Sequence, residues 1–205
     1  MPPAKTHKRA AKPAQRAAVR PARKPARSAA RKAPPKSARK PGPVYDRLEK
    51  QLVAVLEPFA HEGLDGPWPS KRWTQEIRAR LSILGRELGY RVCAEEAPRA
   101  DLPWLHSVTW LDERGGRLRA VALAVEIEWN LNLQEIAEDF DKLMQSRARR
   151  RLMLFAQRDS KDVAMVFARL RARARGFGAT LPGDRYLLAG YAFDKRQFIF
   201  LPHSA

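Results

Sequence analysis

The stretch that decides the fold is Ala120-Val121-Ala122-Leu123-Ala124-Val125-Glu126-Ile127-Glu128-Trp129-Asn130. Apolar residues fill every position up to Val125, so no polar face is left. That pattern predicts an interior strand covered on both sides. Acid enters only at Glu126 and Glu128, which share a face because they stand two apart on a strand. Leu123, Val125 and Ile127 are expected to be buried on one side of the sheet. Ala122 and Ala124 are expected on the other, where small side chains let a helix approach closely.

Outward from this strand, which the pattern extends over residues 117–129, the period alternates between elements. Residues 90–96 and 105–112 read as the two preceding strands, with a hairpin turn over 113–116. Ahead of them lie two helices. The first, over 45–60, puts Leu48, Leu52, Val55, Leu56 and Phe59 on one face. The second runs from about 71 to 88, capped by Ser70 and stopped by Gly89, after a break at Gly63, Gly66, Pro67 and Pro69. Beyond the strand come a helix over 133–147, a strand over 151–157 and a helix from a Ser160 cap to about 175. Two last strands cover 186–193 and 197–201. The expected order is α-α-β-β-β-α-β-α-β-β, an α/β domain over 45–205 with a mixed central sheet flanked by helices.

The first 43 residues are different in kind. They hold Lys5, Lys8, Arg9, Lys12, Arg16, Arg20, Arg23, Lys24, Arg27, Arg31, Lys32, Lys36, Arg39 and Lys40, and no acid. This segment thus carries +14 of the chain's formal +18. It also has 12 Ala, 9 Pro and no aromatic residue. It cannot bury enough apolar surface to offset a backbone ordering cost of about 1–2 kcal/mol per residue. It is expected to be a disordered, extended tail that binds a polyanion. DNA is the expected partner, with RNA left open. The tail resembles the Ala/Pro/Lys tails of linker-histone-like proteins. Its bland alternative is a solubilising or targeting arm.

Other classes are excluded by what the sequence lacks. No phosphate loop of the GxxxxGK[ST] type, no HExxH, no paired CxxC and no GxSxG occurs. Nucleoside triphosphatases, zinc enzymes and serine hydrolases are therefore disfavoured. Cys93 is the only cysteine, so no intramolecular disulfide forms, and a reducing, cytoplasmic location is expected. No apolar run reaches the roughly 18 residues of a membrane span, and no secretory signal is expected.

Two carboxylates on one face of a covered strand repel each other when ionised, and a hard divalent cation would relieve that. A strand emerging into solvent at Glu126 would show the same letters. The order of elements adds a second signal. A helix, three antiparallel strands with a carboxylate motif late in the third, then helix, strand and helix resembles the core of the PD-(D/E)XK nuclease superfamily, most plainly over 73–157. The segment 125–130, followed by 136–143, looks like that family's third strand and following helix.

This resemblance implies a restriction-endonuclease-like core that binds or cuts DNA. Glu126 would match the family's acidic metal ligand. Glu128 stands where the family usually has Lys, and Lys142 would supply the missing cation from the next helix. Glu135, Asp139 and Lys142 share one helix face, which an ordinary solvated face with ion pairs also explains. The family's second ligand is an Asp early in the second strand. Counting back across the hairpin puts residues near Leu105 opposite Glu126. His106 and Ser107 occupy that region, Asp112 lies at the wrong end, and Asp101 is the carboxylate that could reach in from the loop.

The implied site is thus Glu126 as ligand of Mg²⁺ or Mn²⁺, Glu128 holding the metal or the attacking water, Asp101 completing the metal site, and Lys142 stabilising charge. The implied activity is metal-dependent phosphodiester hydrolysis. The alternative is a catalytically inactive nuclease fold that binds DNA, tethered by its tail. Arg149, Arg150 and Arg173, from the basic groups at 147–151 and 169–175, are the expected phosphate contacts of the domain.

Overall fold

A computed structural model describes residues 44–62, 70–97 and 100–204. The 1–43 tail and the break at residues 63–69 lie outside the described residues. Helices α1 (Arg47–Glu62) and α2 (Ser70–Glu87) precede strands β1 (Arg91–Ala94), β2 (Val108–Arg114) and β3 (Arg117–Glu128). Helix α3 (Leu133–Gln145), strand β4 (Ala148–Gln157) and helix α4 (Ser160–Gly176) follow, then strands β5 (Arg185–Ala192) and β6 (Gln197–Ser204). The element order is the one the periodicity predicts, with ends displaced by a few residues.

The strands form one six-stranded mixed sheet in the order β1-β2-β3-β4-β5-β6. β1 pairs with β2 and β2 with β3 antiparallel, β3, β4 and β5 run parallel, and β6 returns antiparallel to β5. One face packs Leu52, Leu56 and Phe59 of α1 and Ile77 and Leu81 of α2 against Trp110, Leu123, Val125 and Leu154. The other face packs Phe140 and Leu143 of α3 and Val163 and Leu170 of α4 against Ala124, Met153 and Tyr186. Parallel crossovers need both faces covered, which is why β3 and β4 are apolar on both sides. Gly85 lets α2 lie close on the sheet: a Cβ there would meet Trp110 Cε2 at 2.7 Å.

Four local expectations are corrected. The β2–β3 turn is not four residues but the pair Gly115-Gly116, with φ of +56° and +71°. Positive φ at both positions is what a tight hairpin with the right twist requires. The cap of α4 is Asp159, whose side chain accepts from Asp162 N–H at 2.8 Å, rather than Ser160. Ala122 packs with Leu123 and Val125 instead of with Ala124. The pairing jumps from Trp110↔Leu123 to Leu111↔Val121, so Ala122 is an extra residue in β3, and such a bulge reverses the side from which the count proceeds. Ile127 is partly rather than fully buried.

The N-terminal edge of the described chain is bolted to the sheet. Asp46 and Glu49 form a reciprocal cap on α1, each backbone N–H donating to the other's carboxylate at 2.8 Å. Arg185, at the start of β5, donates to both Glu49 oxygens at 2.9 and 2.6 Å. Glu49 is 1% exposed. Burial pushes the Asp46 carboxyl up, but the Glu49 N–H and the Arg150 and Arg185 guanidinium groups outweigh it, so its pKa lies below the usual range. Among the described residues, no helix is long and apolar enough to cross a membrane.

Candidate functional site

The site forms where β3 ends and α3 begins. Behind it, on the α1–α2 side, Trp129 turns back and donates from Nε1 to Thr74 Oγ1 at 2.9 Å. Its ring lies 5.7 Å from Trp73, which also meets Phe59 at 4.7 Å and Tyr191 at 4.9 Å. This aromatic group pins the strand end, so the carboxylates on the opposite face stand at a fixed height.

Glu126 is 6% exposed and braced by the two residues that precede β2. His106 Nδ1 lies 2.7 Å from its Oε1. Ser107 donates to its Oε2 from Oγ at 3.0 Å and from the backbone N–H at 3.4 Å. The count across the hairpin pointed to Leu105 as the residue facing Glu126. Two register shifts in the β2–β3 pairing move that place to Ser107, since Val108 pairs with Val125.

Glu128 lies on the same face, half-buried, and accepts from Asn130 N–H at 2.5 Å. Burial raises its pKa most. The Asn130 N–H opposes that, and the neighbouring carboxylates Asp139 and Glu135 raise it further. Asp139 also accepts from Lys142 Nζ at 2.6 Å. That bond, with Glu126 and Glu128 nearby, holds the Lys142 ammonium above its usual pKa. The i, i+4, i+7 stripe of α3 therefore faces the two glutamates of β3. Glu126, Glu128 and Lys142 are brought together, and Asp139 joins them.

Asp101 does not. It sits beyond β1, where its N–H donates to Val92 O at 2.8 Å and its carbonyl accepts from Ala94 N–H. The chain of pairings Asp101↔Cys93, Cys93↔Thr109 and Thr109↔Ala124 puts three strand spacings between Asp101 and β3. At about 4.8 Å each, that is roughly 14 Å. Arg91 Nε lies 2.5 Å from its carboxylate and Arg86 Nη2 at 3.4 Å. The hydrogen bond from Arg91 chiefly lowers its pKa. The expectation that Asp101 completes the site is corrected: the loop carrying it is spent on pairing with the outer edge of β1.

The carboxylate that sequence reasoning left unassigned is Asp139, and its signal was the shared face with Glu135 and Lys142. Among the described residues, no group of three His, Cys, Asp or Glu side chains is arranged to hold a metal ion. Glu128 and Asp139 nevertheless offer two adjoining carboxylates. Mg²⁺ is commonly held by one or two carboxylates, with water and substrate phosphate completing the shell. Glu126, whose oxygens are already engaged by His106 and Ser107, fits a supporting place better than a ligand's.

The expected phosphate contacts of the domain are all paired to acid. Arg149 Nη1 lies 3.2 Å from Asp112, Arg150 Nε 2.5 Å from Asp46, and Arg173 binds both oxygens of Asp141 at 2.8 and 2.6 Å. Arg151 is 4% exposed and donates to the Leu143 and Ser146 carbonyls at the end of α3. The fourteen basic residues of the tail lie outside the described residues. Comparison of the chain with family models, with curated proteins and with solved structures yields no match.

Proposed function

We propose that this chain is a DNA-binding protein with a PD-(D/E)XK-like domain, and that the end of β3 is a phosphodiester-hydrolysing site using Mg²⁺ or Mn²⁺. The observation that carries this reading is the meeting of Glu128 on β3 with Asp139 on α3, beside Lys142 and the braced Glu126. Glu128, whose pKa is raised by burial and then by Asp139 and Glu135, is costly to keep ionised beside a second carboxylate unless a cation joins them. A bound divalent cation would supply an activated water and neutralise charge on the phosphate. Glu128 and Asp139 would hold it. The Lys142 ammonium would face the phosphate oxygens, and Glu126 would orient the His106 ring through Nδ1. The basic tail would supply sequence-independent affinity and keep the protein on nucleic acid in a reducing compartment.

A second reading is favoured by the surroundings of Glu126. The segment leading into β2 brings His106 and Ser107 to it instead of a carboxylate, which suits a domain that binds DNA without cutting it. One experiment separates the two. The full chain is incubated with plasmid and single-stranded DNA, with Mg²⁺, with Mn²⁺ and with chelator. Metal-dependent cleavage that Glu128→Gln and Asp139→Asn both abolish supports hydrolysis. Tight binding with no cleavage under any metal leaves the binding reading alone.

A further inference from the structure

Leu102, Trp104 and Leu105 crowd the loop that leads into the site, 86%, 36% and 81% exposed. No two of the other large exposed apolar residues among the described residues are sequence neighbours. Scattered single residues are ordinary, whereas a group marks an interaction surface. The loop is braced at both ends. Asp101 is bonded to β1 at one end. At the other, the Trp104 carbonyl accepts from Thr109 Oγ1 and from His106 N–H, both at 2.8 Å. Leu105 has φ of +63°, a left-handed conformation that a leucine rarely adopts. Strain of this kind persists where the surrounding structure over-determines it, and it gathers at functional sites. The fold thus holds three apolar side chains out of its core at a fixed place.

We infer that this loop receives unpaired nucleobases, so that single-stranded or locally unpaired DNA is the substrate class; the inference rests on the DNA reading above. Leu105 adjoins His106, whose ring is bonded to Glu126. A phosphodiester at the Glu128–Asp139 site would therefore bring its own or a neighbouring base to the loop. The loop is suited to a base rather than to a phosphate. The charges at its base, among the described residues, are acids matched to cations: Asp101 and Glu113 with Arg91 and Arg86, and Glu95 with Arg78. Among the described residues, these three acids and three cations leave no surplus positive charge there to attract a backbone. Base faces are apolar and stack on tryptophan with little regard for sequence. In a duplex those faces are hidden in the stack, and only a strand that exposes them gains from the loop.

The test uses the full chain, wild type and the variants Trp104→Ala and Leu105→Ser, in chelator so that nothing is cut. Affinity is measured for labelled oligo(dT) and for a duplex of equal length, at about 0.2 M salt, where tail-driven binding is weakened. The wild type should prefer the single strand. Each variant should lose about tenfold or more on the single strand, with duplex affinity unchanged. Melting temperature should not fall in Leu105→Ser, because that side chain is 81% exposed, and Trp104→Ala is assayed below its own melting transition. Equal losses on both substrates, or none, overturn the inference while leaving DNA binding intact. So does a variant that only converts a dimer to a monomer in sedimentation, which would assign the loop to a second copy of the chain. A wild type that binds neither substrate overturns the inference and the DNA reading together.

Discussion

His106 Nδ1 lies 2.7 Å from Glu126 Oε1, and only 9% and 8% of the two side chains are exposed. A buried carboxylate in that place orients the ring and sets Nδ1 as its donor nitrogen. Ser107 completes the carboxylate's partners. Glu126 is therefore a satisfied group, and its neighbour Glu128 is the one under electrostatic pressure.

Glu126→Ala should destabilise the metal-free protein by about 1–3 kcal/mol, because His106 and Ser107 lose the acceptor they share. Urea unfolding measures this. Simple repulsion between Glu126 and Glu128 would instead make the variant neutral or more stable, and that result would show that the His106 bond contributes nothing.

Glu128→Gln should have the opposite effect. The Glu128 pKa is raised in the fold by burial and by Asp139. A raised carboxyl pKa means the folded state favours the protonated form, so stability is lost as pH rises through the folded value. The variant should therefore melt above the wild type at pH 7, with the gap closing as pH falls below the ordinary glutamate value of 4.5. A binding cation should add about 2.7 kcal/mol to the wild type at a hundredfold excess over its dissociation constant, and little to the variant. Calorimetry at pH 4 and pH 7, with and without Mn²⁺, reads both effects.

Arg185→Ala should cost about 3–5 kcal/mol, because it leaves the Glu49 carboxylate buried without its partner. The Glu49→Gln, Arg185→Ala double variant should recover part of that. Asp46, on the same cap, has a lowered pKa. Its contribution is present above the ordinary value of 3.8 and is lost as pH falls through the folded value. Asp46→Asn should accordingly lower the melting temperature at pH 7 and have little effect at pH 2.

Gly85→Ala should destabilise by about 1–3 kcal/mol, since the added methyl would drive into Trp110 and Val92 at 2.7 Å. A helix propensity gain from removing glycine works the other way. A variant more stable than the wild type would show that α2 can lift off the sheet at little cost.

Removing residues 1–43 should weaken DNA binding and flatten its salt dependence. For every phosphate that the tail no longer neutralises, the slope of log K against log salt should fall by about 0.9 on duplex DNA. Titrations at several salt concentrations check it, and an unchanged slope would take the tail out of nucleic-acid binding.

What the sequence determined by itself is local. The order of ten elements follows from apolar periods set within each helix or strand by backbone geometry. The shared face of Glu126 and Glu128 follows in the same way, as does that of Asp139 and Lys142. Only the tertiary structure decided what met across elements. Two bulges in β3 moved Ser107 opposite Glu126 and turned Ala122 to the other core. The β1–β2 loop folded back on the outer edge of β1 and carried Asp101 away, while the crossover after β3 laid Asp139 beside Glu128. Arg149, Arg150 and Arg173 found acids far along the chain. A one-residue bulge changes parity without altering the period on either side, and a loop's path is set by packing at both of its ends, so neither is written in the pattern of any single segment.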